Sequence, residues 1–356
     1  MLPDFYLPLA FFTSLFLARS TPTFTPGLSN VTILATGGTI ANTSPSPQDA
    51  SWHSTESLNV HELIQIAHLS TIANVQGIQV ANVGSHDISG ETLVHLAEET
   101  QKHLDTPHTQ GVVVAHGTDT LEETALFLDL TVRSEKPIIL VGAMRSATAI
   151  SAEGPINLQN AVALASNENA RNRGVMIVMN DMIGPARFTS KTNANRVDAF
   201  KATDQGSLGM FVNGLPRFFY TPSRPTGHRH FNLSHRLGAA LPKVDILYGY
   251  QDLEPGLLRS AVERGARGIV LAGLGAGFWP TRAIPEVRTV MQEYGVPVIM
   301  SRRPQDGFAD GAAIGLAGCG FMDPPHCRIL VQLCIALGID ISQPEGITKC
   351  SLEGGS

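Results

Sequence analysis

The sequence predicts an α/β protein with a larger N-terminal doubly wound sheet domain and a smaller C-terminal α/β domain. Short apolar runs alternate with helical patterns along the chain. Continuous apolar strands of this kind are typical of parallel sheets that helices cover on both faces. The runs are residues 31–35, 112–115, 137–141, 174–179, 244–248, 268–272 and 296–300.

A stretch interrupted by proline and glycine divides these runs into two groups. Residues 216–242 show no periodic pattern, which predicts an interdomain linker. The expected organisation is an N-terminal domain over residues 30–215, this linker, and a C-terminal domain over residues 243–356. Residues 42–57 are polar and contain two prolines, and loops of that length are often functional.

The N-terminus predicts export. Residues 1–20 contain an apolar run that is too short to span a bilayer and resembles a signal peptide. Asn-x-Ser/Thr triplets at Asn30, Asn42 and Asn232 agree with a secreted glycoprotein. No later segment is long and apolar enough to be transmembrane, so no membrane partner is expected.

Composition narrows the class of protein further. The chain is 43% hydrophobic and 16% charged, which predicts a sizeable core. Its formal charge of −6 and the lack of a basic patch argue against a nucleic-acid partner. Four cysteines near the C-terminus permit disulfides or buried thiols, and their spacing leaves the pairing open. They are Cys319, Cys327, Cys334 and Cys350.

Glycines, hydroxyls and charged residues follow four of the predicted strands. Ligands bind beyond the carboxyl ends of strands in open parallel sheets, so these residues are expected to meet in one crevice. Glycine after a strand lets the backbone turn tightly and approach a ligand. The segments are Thr36-Gly37-Gly38-Thr39, His116-Gly117-Thr118-Asp119-Thr120, Gly142-Ala143-Met144-Arg145 and Ser190-Lys191-Thr192-Asn193.

Two interpretations of the second segment stay open. Thr120 and Glu123 have the spacing of a capping box, so the segment can serve only to begin a helix. Alternatively, Thr118, Lys191 and Asp119 form a nucleophile, a base and an orienting carboxylate. Backbone N–H groups of the glycine turns would then hold an oxyanion. That set points to acyl transfer on an amide or an ester.

Taken together and in this order, four stretches resemble the bacterial-type L-asparaginases, and most closely their secreted type II branch. They are residues 33–40 (ILATGGTI), 115–124 (AHGTDTLEET), 141–145 (VGAMR) and 190–193 (SKTN). The resemblance is strong to about residue 211 and thinner afterwards. It implies hydrolysis of asparagine to aspartate and ammonia, without a metal or a cofactor.

The resemblance also implies an assembly and a catalytic set. The family forms homotetramers, as dimers of dimers, with each site between the N-terminal domain of one subunit and the C-terminal domain of its partner. Thr39 matches the primary nucleophile. Thr118, Lys191 and Asp119 match a second triad.

Substrate-binding roles follow from the same resemblance. Ser85 would hold the α-carboxylate of the substrate, and Asp119 its α-ammonium group. The carbonyl of Ala143 would accept from the leaving amide nitrogen. His86, which follows Ser85, stands where the family usually has Gln or Glu and is expected in the binding pocket.

Several positions depart from the family pattern. Trp52 stands near the position of a lid tyrosine, and an indole cannot relay a proton as a phenol can. Slow turnover is therefore expected unless His53 or His86 supplies the base. Because of this departure, a second possible function is that of a catalytically impaired relative that only binds an amino acid. A third is that of a glutaminase or amidase with relaxed specificity, because His86 and Phe278 change the residues of the pocket.

The partner-subunit contribution is also altered. Ala276 and Phe278 stand where the family often has an asparagine that meets the neighbouring site. Asp306 and Asp310 are candidates for the acidic residue that the partner donates.

Overall fold

The computed structural model describes residues 24–48, 57–221, 230–233 and 240–341. The predicted signal peptide and much of the predicted linker lie outside these ranges. The N-terminal strands are β1 (Asn30–Ala35), β2 (Asn74–Gln79), β3 (Thr109–Ala115), β4 (Ile138–Val141), β5 (Val175–Met179), β6 (Met182–Pro185), β7 (Ser190–Lys191), β8 (Phe200–Lys201), β9 (Gly209–Val212) and β10 (Leu215–Phe218). The helices among them are α1 (Val60–Ile66), α2 (Gly90–Asp105), α3 (Leu121–Thr131) and α4 (Gly154–Ala165).

Eight of these strands form one mixed sheet in the order β10-β9-β6-β5-β4-β3-β1-β2. The five strands from β5 to β2 are parallel, whereas β6, β9 and β10 are antiparallel. β7 and β8 pair only with each other, in a separate two-stranded ribbon. β10 pairs with β9 through Phe218, so the sheet extends into the segment that the sequence predicts as a linker.

Helices cover both faces of the parallel strands, which explains why those strands are apolar throughout. Val112 and Val114 of β3 belong to the core that contains α2 and α3. Val113 of the same strand belongs to the core that contains α4 on the opposite face. Alternate residues of one strand therefore fill two cores, as a doubly wound sheet requires.

The C-terminal domain is a smaller four-stranded parallel sheet in the order β11-β12-β13-β14. Its strands are β11 (Val244–Tyr248), β12 (Gly268–Gly273), β13 (Val298–Arg302) and β14 (Ala317–Gly318). Its helices are α5 (Leu257–Glu263), α6 (Ile284–Tyr294) and α7 (Pro324–Ala336). The predicted fold class, a large sheet domain followed by a smaller one, is confirmed.

α7 joins the two domains. Six of its buried side chains belong to the same core as α3 of the N-terminal domain and Val270 of β12. Arg328 of α7 also donates to the Glu123 carboxylate of α3 through Nε at 3.1 Å and Nη2 at 2.5 Å. The C-terminal domain therefore contacts the N-terminal domain through an apolar helix with a charged contact at its edge, and also through the Gly307 N–H, which donates to Asp204.

Disulfides settle the state of three of the four cysteines. Cys319, just after β14, is bonded to Cys327 of α7, with 5.8 Å between their Cα atoms. Cys334 is also disulfide-bonded. Cys350 lies outside the described residues.

Two further sequence predictions can be compared with the described residues. Asn42 is only 8% exposed, so a glycan has no room at this triplet in the folded chain. Within the described ranges no helix has the length and apolar character needed to cross a membrane.

Candidate active site

Three turns lie side by side at the carboxyl edge of the large sheet. β1, β3 and β4 are neighbours, and their last residues Ala35, Ala115 and Val141 are in register. The N–H of Thr36 donates to the Ala115 carbonyl at 2.9 Å, and the N–H of His116 donates to the Val141 carbonyl at 2.9 Å. The predicted convergence of these three segments therefore follows from strand adjacency.

Glycines let the turns pack backbone against backbone. Gly38 has a φ of +86°, and a Cβ added there would lie 2.1 Å from the Cα of Gly117. A Cβ on Gly117 would lie 2.8 Å from the Ser85 hydroxyl, and one on Gly142 would lie 3.0 Å from Cγ2 of Thr118. Only glycine fits at this contact, which brings the residues that follow each glycine to one crevice.

Lys191 reaches both polar residues of the second turn. Its Nζ donates to Thr118 Oγ1 at 3.0 Å and to Asp119 Oδ1 at 2.7 Å. Thr118 is buried, and the Lys191 side chain is only 17% exposed. The hydrogen bond from the Lys191 ammonium is the main cause that holds the pKa of Asp119 below its usual range. Asp119 is therefore an anion at neutral pH.

Ser85 and His86 lie next to Asp119. The backbone N–H of Asp119 donates to Ser85 Oγ at 3.0 Å, and Ser85 is buried. His86 Nδ1 lies 3.5 Å from Asp119 Oδ2, and its side chain is more than half exposed. The buried hydroxyl of Ser85 and the exposed imidazole of His86 thus lie beside the same Asp119 residue that Lys191 binds.

Thr39 and Ala143 lie beside this hydrogen-bonded set rather than within it. Both are buried in turns that flank the Thr118 turn. A Cβ on Gly154 would lie 3.2 Å from Ile40 Cγ1 and 3.4 Å from the Cβ of Ala143, so the first and third turns both pack against the start of α4. The amide of Asn157 donates to the Gly142 carbonyl at 3.0 Å and fixes the third turn.

The capping interpretation of the second segment is wrong in its details. Thr120 is the N-cap of α3, but its side chain makes no capping hydrogen bond. Its hydroxyl instead donates to the Ser85 carbonyl at 2.8 Å. Glu123, the expected partner in the capping box, is paired with Arg328. The side chains of Thr120 and Glu123 therefore bind partners elsewhere in the fold and do not cap α3.

His116, which opens the segment, is a core residue. It is completely buried, with Nδ1 2.7 Å from the Gly117 carbonyl and Nε2 3.0 Å from Thr124 Oγ1. Burial lowers its pKa to about 4, so the ring is neutral. His116 supports the turn from behind and does not face the crevice.

A buried acidic and imidazole cluster, formed by Glu122, Asp323 and His326, lies behind the Lys191 strand. Glu122 accepts from the Lys191 backbone N–H, and Asp323 accepts from the Ser190 hydroxyl. Burial, followed by the Asp323 carboxylate, raises the pKa of Glu122 to about 7. Burial alone would lower the pKa of His326, but Asp323 at 2.6 Å outweighs it and raises that pKa to about 9.

Sequence reasoning missed this cluster. Asp323 and His326 lie far along the chain from Lys191, and Asp323 followed by two prolines indicates only a helix start. The local sequence offers only the pair of acidic residues at the start of α3. A first-turn glutamate is usually solvated, whereas the structure leaves Glu122 only 8% exposed.

The remaining predicted residues lie apart from the crevice or beyond the described ranges. Trp52 and His53 fall outside the described residues. Phe278 is 56% exposed on the C-terminal domain. Asp306 and Asp310 belong to the loop after β13 and lie outside the Thr118 hydrogen-bond set of their own chain. Among the described residues no group of three metal-ligating side chains could hold an ion.

Family models match nearly the whole described chain. The N-terminal asparaginase model covers residues 30–224, and the glutaminase/asparaginase C-terminal domain model covers residues 243–347. The fold is thus that of a family of two-domain α/β amidohydrolases, and this chain belongs to the asparaginase family.

Named relatives agree over most of the length. The chain is 41% identical over 331 residues to a probable L-asparaginase 4 of Schizosaccharomyces pombe, which spans 93% of this chain and 92% of that protein. It is 43% identical over 321 residues to L-asparaginase 2-3 of Saccharomyces cerevisiae, covering 89% and 88%. A crystal structure of a probable cytoplasmic L-asparaginase from Campylobacter jejuni matches with a TM-score of 0.82 and 36% identity, covering 91% of this chain and 99% of that one.

The prediction of a secreted protein is wrong. The solved structure that matches this chain over 91% of its length is described as a probable cytoplasmic L-asparaginase, and the similar yeast proteins are named L-asparaginase or probable L-asparaginase. An apolar run of signal-peptide length at the N-terminus carries little information by itself, because apolar segments of that length have many other uses.

The contact between the first two turns generates a stability prediction. We expect Gly38→Ala to lower the free energy of unfolding by about 3 kcal/mol, because strain at positive φ costs about 1 kcal/mol and overpacking about 2 kcal/mol more. Gly214→Ala is the matched control, with a φ of +74° and no atom within 4 Å of its added Cβ. It should cost only about 1 kcal/mol. Equal losses in thermal or denaturant unfolding would show that the two turns do not depend on close backbone approach.

Proposed function

We propose that this protein hydrolyses L-asparagine to L-aspartate and ammonia through an acyl-enzyme formed on a threonine. The observation that carries the proposal is the position of Lys191 Nζ, 3.0 Å from Thr118 Oγ1 and 2.7 Å from Asp119 Oδ1, in a chain of the asparaginase family. A threonine hydroxyl is a poor nucleophile unless a base or a cation lies next to it. Lys191 is such a neighbour for Thr118, and the Thr118 turn packs directly against the turn that carries Thr39.

The reaction balances with the residues of the two turns. The Thr39 hydroxyl oxygen bonds to the side-chain carbonyl carbon of asparagine, and the C–N bond breaks. The hydroxyl proton passes to the amino group, which leaves as ammonia. Water then attacks the ester and returns a proton to the threonine oxygen, releasing aspartate. In this scheme Thr118 and Lys191 relay protons, and Asp119 holds Lys191 in place.

Backbone donors suit the charge that develops on the carbonyl oxygen. The glycine turns carry backbone N–H groups next to Thr39 and Thr118 in the sequence, and the second turn leads into the N-terminus of α3. N–H groups fixed at such a position stabilise an oxyanion without reorganisation during the reaction.

Binding of the amino-acid end uses the groups around Asp119. Because Ser85 Oγ accepts from the Asp119 N–H, the Ser85 hydroxyl hydrogen can donate to the substrate α-carboxylate. The Asp119 carboxylate, ionised at neutral pH, suits the α-ammonium group. His86 lies at the open side of the same pocket, and the Ala143 carbonyl accepts from the leaving amide nitrogen.

The activity prediction concerns three substitutions. Thr39→Ala, Thr118→Val and Lys191→Met should each lower kcat for ammonia release from asparagine by about 10²–10⁴-fold, since each removes a group that forms a bond or moves a proton. Thr71→Ala, at an exposed position, is the matched control and should leave kcat unchanged. Wild-type turnover in Thr39→Ala and Lys191→Met would remove the proposed mechanism.

We also propose a homotetramer, built as a dimer of dimers, in which the partner's C-terminal domain completes each site. Large apolar side chains of the C-terminal domain stay more than 40% exposed in the single chain, which suits a subunit interface. They are Tyr248, Tyr250, Phe278, Phe308 and Phe321. Light scattering combined with an activity assay should find activity only in the oligomer, and a fully active monomer would exclude this assembly.

A further inference from the structure

Backbone pairing alone holds the Lys191 strand weakly. β7 contains only Ser190 and Lys191, and it pairs only with the equally short β8, outside the large sheet. The turns that carry Thr39 and Thr118, in contrast, extend from β1 and β3, each of which is paired with a neighbouring strand on both sides in the eight-stranded sheet. Contacts from outside the ribbon must therefore fix Lys191 relative to Thr118.

The buried cluster behind β7 supplies such contacts at three successive points of the chain. Glu122 of α3 accepts from the backbone N–H of Lys191. Asp323, the N-cap of α7, accepts from the Ser190 hydroxyl through Oδ2. His326 Nε2 lies 3.0 Å from the carbonyl of Ala186, in the segment that leads from β6 to β7.

His326 and Asp323 form a rigid pair within this cluster. His326 Nδ1 lies 2.6 Å from Asp323 Oδ1, and the backbone N–H of His326 donates to the same oxygen at 3.0 Å. Both ring nitrogens of His326 face acceptors, a carboxylate and a carbonyl, so both carry hydrogen and the ring is cationic. The raised pKa of His326 agrees with this assignment.

Helix capping does not explain the whole arrangement. The cap of α7 needs only Asp323 Oδ1, which accepts from the His326 N–H. Asp323 Oδ2 takes no part in the cap and accepts from the Ser190 hydroxyl, across the domain boundary. A completely buried imidazolium beside a carboxylate is costly to desolvate, so a simple helix start would be better served by an uncharged pair.

We propose that Asp323 and His326 are positioning residues, which hold the Ser190–Lys191 strand from the C-terminal domain and so keep the Lys191 ammonium within reach of Thr118. Neither residue touches the crevice. The proposal rests on the catalytic role given above to Lys191. It makes each active site depend on the C-terminal domain of its own chain, in addition to that of a partner.

Ser190→Ala is the most selective test, because it removes one hydroxyl and leaves the cluster charges in place. We expect kcat with asparagine to fall about ten-fold, since small misplacement of a catalytic group costs up to about 10²-fold. KM should change less than kcat, because the substitution removes no group that binds the substrate. Ser190→Thr keeps the hydroxyl and should restore most of kcat.

Two further variants separate positioning from stability. Asp323→Asn keeps a good N-cap acceptor for α7 but removes the charge, and it should lower kcat at least as much as Ser190→Ala. Ser166→Ala, a half-buried serine at the end of α4 whose hydroxyl donates to Val162, is the matched control and should leave kcat unchanged.

The outcomes are distinct. Wild-type kcat in both Ser190→Ala and Asp323→Asn overturns the proposal. So does a loss of kcat that follows the loss of melting temperature in every variant and is not restored by Ser190→Thr. If the wild type releases no ammonia from asparagine, the proposed function fails, and crystal structures of the wild type and Ser190→Ala decide the inference. A Lys191–Thr118 distance that lengthens beyond 3.0 Å in Ser190→Ala supports it, and an unchanged distance overturns it.

Discussion

Gly38 and Gly117 bring two backbone turns closer together than any residue with a Cβ would allow. Strand order places the turns at one edge of the sheet, but only the missing side chains let them touch. Thr39 and Thr118 come directly after these glycines, so the contact determines how far apart the two hydroxyl-bearing residues lie. The proposed chemistry on both threonines depends on this single approach.

Lys191 lies on the separate β7–β8 ribbon, and side-chain contacts rather than glycine packing fix its position. Its strand is a short ribbon, so side-chain hydrogen bonds and buried charge replace the ladder of a large sheet. Buried ion pairs contribute little net stability, because desolvation offsets their attraction. The pair of Asp323 and His326 therefore contributes mainly to the position of the Ser190–Lys191 strand and little to the stability of the fold. α7 carries this pair across the boundary between the domains.

Local patterns sufficed to predict the apolar parallel strands and the turns beyond them, but not the parallel strands β2 and β14. Each of the seven apolar runs coincides with a strand, because burial on both faces requires continuous apolar sequence. The half-exposed edge strand β2 and the antiparallel strands β6, β9 and β10 lack that signal. Thr120 and Glu123 matched a local capping pattern, but tertiary partners took both side chains. Long-range pairs such as Lys191 with Glu122 have no local signature at all.

The mechanism proposed for Thr39 requires that the substrate be bound covalently to this residue during turnover. Acid quench of the wild type during hydrolysis of L-asparagine, followed by mass spectrometry of its peptides, tests this claim directly. We expect a mass increase of one aspartyl group on the peptide that contains Thr39, and its absence in Thr39→Ala. An aspartyl group on a peptide without Thr39, or rapid ammonia release by Thr39→Ala, would contradict it.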